Sequence, residues 1–277
     1  MDARNTTMSL TDLARVLDWA AAEGWNPGLD DAGPFHAADP AGFFLRRIDG
    51  SPVSAVSVVT HGPGFAFLGL YLCRPEWRGQ GHGLAVWDHA LRHAGARSIG
   101  LDGVPEQQDA YRKSGFVAVG RTLRFEGTGR PEARDAVRAA VPADLGEIAR
   151  LDRAATGIDR PAFLAAWTRL SATRQTLVLE RDGAVAGFVT WRTCRDGTKI
   201  GPVIAPDTGA ALGLIGAVGR LVPGGRLIVD LPEANTALAR ELEGLGYAVP
   251  FVTARMYRGA APEATGAQQA IATMELG

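Results

Sequence analysis

The chain repeats one pattern of predicted elements in its two halves, and this repeat constrains the fold more than any other feature of the sequence. A β-rich run that ends in an Asp-Gly turn occurs at 43–50 and again at 177–183. A strand, a helix and a Gly-aromatic step then follow in each half, at 99–116 and at 227–247. Such a repeat indicates two units built on one plan, and 277 residues suffice for two hydrophobic cores.

Hydrophobic periodicity gives the plan of the first unit. Ser9 and Asp12 can form a capping box at the start of a helix. Apolar residues recur at helical spacing from there to Gly24, which ends the helix. Three β-rich runs joined by turns follow, and then helices alternate with single strands. The sequence therefore predicts an α+β fold of two tandem domains, each a mixed, mostly antiparallel, twisted sheet flanked by helices.

We divide the chain by the two copies of the pattern and by composition. The first copy, 1–127, is complete, and the second copy occupies 141–259. Residues 128–140 contain three Arg residues, one Glu and one Gly, and we interpret them as a linker. The tail at 260–277 is small and polar, so we expect it to be mobile.

Charge and cysteine content narrow the classes of function. The 29 Lys and Arg residues against 30 Asp and Glu leave no positive surplus for a phosphate backbone, so we expect no nucleic-acid partner. Cys73 and Cys194 lie far apart and offer neither a disulfide framework nor a four-ligand zinc site. The first residues lack the apolar core of a signal peptide, and no apolar run reaches membrane-spanning length. We expect a cytoplasmic protein without a metal or a membrane partner.

A glycine-rich loop lies between a predicted strand and a predicted helix in the first half. Its glycines let backbone N–H groups approach an anion closely, and the helix N-terminus adds partial positive charge. The spacing differs from that of a P-loop and of the G-x-G-x-x-G fingerprint, so ATP and NAD are disfavoured. The second half has 201–207 at this place, without the basic residue or the glycine spacing, and we expect no cofactor there. The loop residues are Arg78, Gly79, Gln80, Gly81, His82 and Gly83.

This loop resembles the signature of the GNAT superfamily of N-acetyltransferases, which reads Arg/Gln-x-x-Gly-x-Gly/Ala between a strand and a helix. Arg78, Gly81 and Gly83 fill its three places. The segment 70–77 is similar to the family's fourth strand and its approach to the loop, and 111–116 is similar to its Tyr-x-x-x-Gly-Phe motif. Further patterns resemble bacterial tandem proteins with one complete and one reduced GNAT domain, at 23–28, 39–44, 101–108 and 254–259.

The resemblance implies the reaction and part of the site. Acetyl-CoA would be the co-substrate, no metal would be needed, and the acetyl group would move directly to an amine. Backbone amides at a bulge in the fourth strand hold pantetheine in the family, and by position they map to Leu72 and Cys73. Tyr111 aligns with the tyrosine that protonates the coenzyme A sulfur, although its ring could instead be core filler.

The sequence leaves the general base open, because 65–72 contains no carboxylate or histidine. Asp102, at the end of a predicted strand beside the cofactor cleft, is the first candidate, and Asp30 is the second. Either carboxylate could instead cap a helix or a turn, and a water chain could deprotonate the amine. His61 and His82 can titrate near neutral pH, but their places in a predicted turn and in the loop favour structural or solvated roles.

Candidates for binding the acceptor follow from the same resemblance. Trp25 and Asn26 come after the first helix, where the family places such residues, although Trp25 could belong to the core. Tyr257 and Arg255 lie in the family-like closing strand and either point into the cleft or lie on the surface. Asp30 completes the candidate acceptor site.

Three functions stay open at this point. The first is acetylation of a primary amine of a small molecule, with an aminoglycoside-type antibiotic as one candidate acceptor. The second is acetylation of protein N-termini or lysines, and the third is acyl-CoA sensing without turnover. A second domain folded over the first would enclose a small pocket, which favours the small-molecule reaction. We expect a monomer or a homodimer.

Overall fold

The computed structural model describes residues 2–132 and 136–277. One mixed sheet of 13 strands runs through these residues, with helices packed against it. This architecture confirms the predicted α+β class and the tandem arrangement of two similar halves. None of the helices in these ranges is both long and apolar enough to cross a membrane.

The first half holds six strands and four helices within the described residues. The strands are β1 (Ala3–Thr7), β2 (Phe43–Ile48), β3 (Ser51–His61), β4 (Phe65–Cys73), β5 (Ser98–Gly103) and β6 (Val117–Gly127). The helices are α1 (Leu10–Ala22), α2 (Ala32–Ala38), α3 (His82–Leu91) and α4 (Gln108–Lys113).

The second half continues the numbering in chain order. Its strands are β7 (Ala136–Ala139), β8 (Arg174–Arg181), β9 (Ala184–Thr193), β10 (Thr198–Ile204), β11 (Leu227–Pro232), β12 (Ala248–Arg258) and β13 (Gln268–Ala270). Its helices are α5 (Leu145–Thr156), α6 (Pro161–Trp167), α7 (Thr208–Leu221) and α8 (Thr236–Gly244).

Local sequence signals account for how several elements start and turn. Ser9 and Asp12 form the predicted capping box of α1, in which each side chain accepts a hydrogen bond from the other residue's backbone N–H. Asp49 and Asp182, each followed by glycine, have positive φ angles of 46° and 52°. Both Asp-Gly dipeptides therefore form the hairpin turns that the repeat predicts.

The two halves exchange their last strands. The order in the sheet is β1-β2-β3-β4-β5-β12-β6-β11-β10-β9-β8-β7. Strand β12 of the second half pairs with β5, and β6 of the first half pairs with β11. Because β12 and β6 also pair with each other, the two halves share one continuous sheet. The division at residue 127 separates the two copies in sequence but not in space.

Each half contains a pair of parallel strands that separates along its length. Strands β4 and β5 pair only at 65–67 with 98–100, and β10 and β11 pair only at 198–200 with 227–229. In the second half, β13 enters the resulting gap and pairs with β10. The equivalent gap in the first half is lined differently and opens into a cavity.

The tail after residue 260 ends inside the protein. Ile271, Ala272, Thr273 and Leu276 are each at most 2% exposed, so the expectation of a mobile tail is wrong. The physical reason is the gap between β10 and β11, which would leave backbone groups unpaired and apolar side chains in water. The tail covers both, and the Ile271 N–H donates to a carbonyl oxygen of β11 at 3.0 Å.

Candidate active site

A cavity of about 1170 Å³ opens where β4 separates from β5. Its walls come from the first half, from the exchanged strands β6 and β12, and from the tail. Distant stretches of the sequence therefore meet at one place. The predicted site residues that line it are Trp25, Leu72, Cys73, Arg78, Gly79, Gly81, Gly83, Asp102 and Tyr111.

Strand β4 has a bulge beside this cavity. Two of its residues, Leu70 and Tyr71, lie opposite one residue of β3, Val56. Leu70 has a φ of +46°, a left-handed conformation that a bulky side chain rarely adopts. A bulge frees backbone groups from the ladder and re-aims them. The bulge was predicted at Leu72 and Cys73, but these two residues are in register with β3. The bulge lies just before them, at Leu70 and Tyr71.

The glycine-rich loop leads into the N-terminus of α3. Gly79 and Gly81 have φ angles of +74° and +80°, and a Cβ atom added at either would meet no atom within 4 Å. The Ala85 N–H donates to the Gly81 carbonyl oxygen at 3.0 Å, which is the first hydrogen bond of the helix. The N–H groups of 82–84 precede this bond and have no carbonyl partner inside the helix. These donors and the open space beside the glycines form a cradle that fits a phosphate.

Arg78 adds a positive charge to this cradle. Its Nε donates to the Cys73 carbonyl oxygen at 2.9 Å, and its guanidinium forms an ion pair with Glu23. About half of the Arg78 side chain is exposed, at 51%. Such exposed ion pairs are weak, typically up to about 1 kcal/mol, so a phosphate can displace Glu23 at little cost.

Tyr111 lies in α4 and borders the same cavity. Its ring stacks on Trp87 with a centroid distance of 5.4 Å, and 7% of the residue is exposed. Burial, and to a smaller extent the neighbouring Tyr71, raises the pKa of Tyr111. The phenol therefore keeps its proton at neutral pH and can donate it to a leaving group. Its ring is packed in the core at the same time.

Asp102 borders the cavity, but its carboxylate is occupied. Arg255 donates to it twice, at 2.7 and 3.0 Å, and the hydroxyls of Thr122 and Thr253 donate at 2.8 and 3.2 Å. The Asp102 side chain is 0% exposed. Oδ1 accepts from three of these donors and Oδ2 from Arg255, whose positive charge lies directly beside it. A carboxylate held in this way is better suited to a structural role than to that of the general base. The sequence could not show this, because the donors lie on the exchanged strands.

Two predicted acceptor residues lie outside the cavity and join the two halves instead. The Asn26 side chain donates to the backbone carbonyl of Asp196 at 2.7 Å and accepts from its N–H at 3.2 Å. Asp30 accepts from Arg174 at 2.7 Å and from Ser171 at 2.6 Å. Burial alone would raise the pKa of Asp30, but the hydrogen bonds from Arg174 and Ser171 lower it below its usual value. Both side chains are therefore committed to contacts between the halves.

Three more predicted residues do not line the cavity. Tyr257 packs against Phe65, with ring centroids 6.2 Å apart, on β12 next to β5. Gln80 belongs to the loop, but its amide donates to a neighbouring backbone carbonyl at 2.9 Å. The His82 ring meets the edge of Trp77 at 5.3 Å, so only its backbone N–H belongs to the cradle.

His61 has a structural role, as the sequence favoured, but in the core rather than in a turn. It ends β3, is 4% exposed, and its Nε2 lies 3.0 Å from the Leu276 carbonyl oxygen. Burial lowers the pKa of His61 to about 4. The neutral ring therefore ties the tail to the first half.

Comparison with known proteins assigns both halves to one family. A family profile described as acetyltransferase (GNAT) family matches residues 10–116, and one described as acetyltransferase (GNAT) domain matches 148–271. A holothin acyltransferase from Pseudoalteromonas sp. (strain SANK 73390) is 35% identical over 273 residues, which cover 97% of this chain and 92% of the relative. The chain belongs to the GNAT family of acetyltransferases. It is a tandem GNAT acyltransferase.

Solved structures share this GNAT fold. A candidate acetyltransferase from Pyrococcus horikoshii has a TM-score of 0.84 at 22% identity, covering 99% of this chain and 96% of that one. A tandem GNAT protein from the clavulanic acid biosynthesis pathway has a TM-score of 0.65 at 17% identity, covering 95% and 100%. At such identities the likeness shows the fold alone.

Several residues of this GNAT cavity escaped the sequence analysis. Arg124 and Phe251 come from the exchanged strands, and Met274 and Glu275 come from the tail. The tail packs so closely on β4 that a Cβ atom at Gly69 would lie 2.1 Å from the Glu275 carbonyl oxygen. No motif in the sequence predicted these contacts. The one available signal was Gly69, since a glycine inside a strand can mark a close approach of another backbone.

Proposed function

We propose that the protein transfers an acetyl group from acetyl-CoA to a primary amine of a small molecule by direct attack. One observation carries the proposal. The bulge at Leu70 and Tyr71, the unpaired N–H groups at the start of α3, and Tyr111 all border the same cavity. These three features match the three needs of the reaction, which are holding the thioester, binding a diphosphate, and protonating a thiolate.

The residues of this chain divide these tasks as follows. The backbone donors of 82–84 and the guanidinium of Arg78 bind the diphosphate of the donor. Backbone groups freed at Leu70 and Tyr71 hold the pantetheine arm and polarise the thioester carbonyl. Tyr111 gives its proton to the sulfur as the carbon–sulfur bond breaks, because burial keeps the phenol protonated until then.

A small acceptor fits this cavity better than a protein does. The exchanged strand β12 supplies Phe251 and the tail supplies Met274, and both walls narrow the space beside β4. Apolar and charged side chains line this cavity together, and pockets for small ligands combine apolar walls with polar groups that orient the ligand. The homologous holothin acyltransferase supports acyl transfer as the reaction class. We propose that the enzyme acts in the cytoplasm, as a monomer or homodimer, without nucleic acid or membrane.

A thiol-release screen tests the proposal. Purified protein is mixed with acetyl-CoA and, separately, with aniline, benzylamine, spermidine, kanamycin and a peptide with a free N-terminus. We expect thiol release with at least one small amine and an acetylated product of that amine in the mass spectrum. Turnover with the peptide alone would indicate a protein acetyltransferase. Acetyl-CoA binding by calorimetry without any thiol release would indicate a sensor.

A further inference from the structure

The carboxylates on the cavity wall differ in whether another group already holds them. Three are each bound to an arginine: Glu23 to Arg78, Asp102 to Arg255, and Glu126 to Arg226. The other two are Glu106, which is exposed, and Glu275, which is 5% exposed. Within residues 2–132 and 136–277, Glu275 forms no ion pair within 4.0 Å. It is thus the buried carboxyl of this cavity that an arginine does not hold.

Glu275 also lies close to where the thioester is expected. Its carbonyl oxygen packs against Gly69, which immediately precedes the bulge residues Leu70 and Tyr71. The Thr273 hydroxyl donates to Oε2 of Glu275, so one carboxyl oxygen is fixed. The other oxygen, Oε1, accepts no hydrogen bond from the part of the chain that the structure describes. One lone pair of this carboxyl thus stays available, and Glu275 lines the cavity that the bulge also borders.

The surroundings of Glu275 favour a carboxyl that can take up a proton. Burial is the largest effect and raises its pKa, and Asp31 acts in the same direction. Lys199 on β10, Arg192 on β9 and Arg124 on β6 lower the pKa but do not offset burial. A carboxylate whose pKa is raised is a stronger base than one in water, so it takes up a proton more readily.

We propose that Glu275 is the general base that removes the proton from the acceptor amine. This inference rests on the proposed acetyltransferase function and adds a catalytic residue to it. The amine nitrogen forms a bond to the thioester carbon, and its proton goes to Oε1 of Glu275. The carbon–sulfur bond breaks, and the sulfur takes the proton of Tyr111. Glu275 then releases its proton to solvent, and Tyr111 regains one, so that both return to their starting states.

Glu275→Gln tests this role with little change of shape, since the amide oxygen can still accept from Thr273. With the most active amine of the screen, we expect kcat to fall by about 10² or more. The acid limb of the kcat/KM profile against pH should disappear, while the affinity for acetyl-CoA stays within about twofold. Glu275→Asp, which restores a carboxylate on a shorter side chain, should recover part of kcat together with the acid limb.

Glu126→Gln is the matched control, because Glu126 borders the same cavity but is held by Arg226 at 2.8 Å. This variant should keep the acid limb whatever its kcat. If the fall of kcat/KM at low pH seen in wild type persists in Glu275→Gln, it arises from the substrate or from another group. That result would overturn the proposal. Full kcat in Glu275→Gln would do the same.

Infrared difference spectroscopy gives a readout that does not need the acceptor. Wild type minus Glu275→Gln should show the carbonyl band of a protonated carboxyl that fades as the pH rises. The lack of such a band at every pH would contradict a base with a raised pKa. If wild type releases no thiol with any amine of the screen, the acetyltransferase function fails. If wild type is active and Glu275→Gln matches it, only the role of Glu275 fails.

Discussion

Arg255 holds the carboxylate of Asp102 with two hydrogen bonds, of 2.7 and 3.0 Å, at the junction where the halves exchange strands. Asp102 lies on β5 of the first half and Arg255 on β12 of the second, directly opposite in the register. The pair therefore links the two halves through a charge contact that is almost fully buried. It also decides between a structural and a chemical role for Asp102.

Asp102→Asn should destabilise the protein by about 3–5 kcal/mol, because it leaves the charge of Arg255 buried without a partner. The measurement is urea unfolding followed by tryptophan fluorescence. Glu233→Gln is the control, since its pair with Arg121 is more exposed and should contribute at most about 1 kcal/mol. A variant of unchanged stability whose kcat alone falls would return Asp102 to the list of candidate bases.

Tyr111→Phe should lower kcat by about 10² or more and leave acetyl-CoA affinity unchanged, since only a proton donor is lost. Stopped-flow thiol release and calorimetry measure the two quantities. Because burial raises the pKa of Tyr111, wild-type activity should not fall between pH 8 and about 10 through loss of this proton. Tyr71→Phe is the control, because Tyr71 is a second phenol in the cavity and its loss should leave kcat unchanged. If kcat fell in Tyr71→Phe and not in Tyr111→Phe, Tyr71 would be the general acid.

Gly81→Asp should weaken acetyl-CoA binding at least about tenfold, equal to about 1.4 kcal/mol, because it puts a negative charge in the phosphate cradle. Calorimetry measures the affinity. Gly224→Asp is matched to it, with a φ of +82°, no atom within 4 Å of an added Cβ, and a place away from the cavity. Equal binding by the two variants would refute the assignment of the loop.

The His61 ring predicts how stability depends on pH. Its pKa is about 4 in the folded protein and about 6.5 when unfolded. The unfolded chain therefore binds a proton below pH 6.5 that the folded protein does not, so stability falls as the pH drops from 6.5 to 4. His61→Gln keeps a donor for the Leu276 carbonyl without titrating, and should remove part of this slope.

Calorimetry at pH 7 and pH 4.5 measures that slope as the change in Tm. Wild type should lose at least about 2 °C more than His61→Gln over this interval. His36→Gln, at a half-buried histidine of the same half, should keep the wild-type slope. Parallel slopes in wild type and His61→Gln would mean that the pKa of His61 is the same in the folded and unfolded states, which would contradict the lowered pKa.

The parts of the fold that depend on neighbouring residues could be predicted from the sequence. The capping box of Ser9 and Asp12, the two Asp-Gly turns and the glycine-rich loop before α3 are of this kind. Their conformations are set within a few residues, because capping hydrogen bonds and positive φ angles are local requirements.

The parts that depend on distant contacts could not. Strands β6 and β12 have equivalent positions in the repeated pattern of the two halves. That pattern does not specify whether each strand pairs within its own half or with the other half. The family resemblance predicted a bulge at Leu72 and Cys73, but its position at Leu70 could not be predicted, because the positive φ falls on a leucine, which rarely adopts one. The burial of the tail could not be predicted, because it depends on a gap between strands that exists only after folding.

The exchange of β6 and β12 also has a consequence for cutting the chain. Breaking it between 128 and 132 would give two fragments, each of which carries the strand that borders the other's β5 or β11. Alone, each fragment would expose a sheet edge that invites aggregation. Expressed together, the two fragments should reassemble into an active whole, which makes this enzyme a natural starting point for a split reporter.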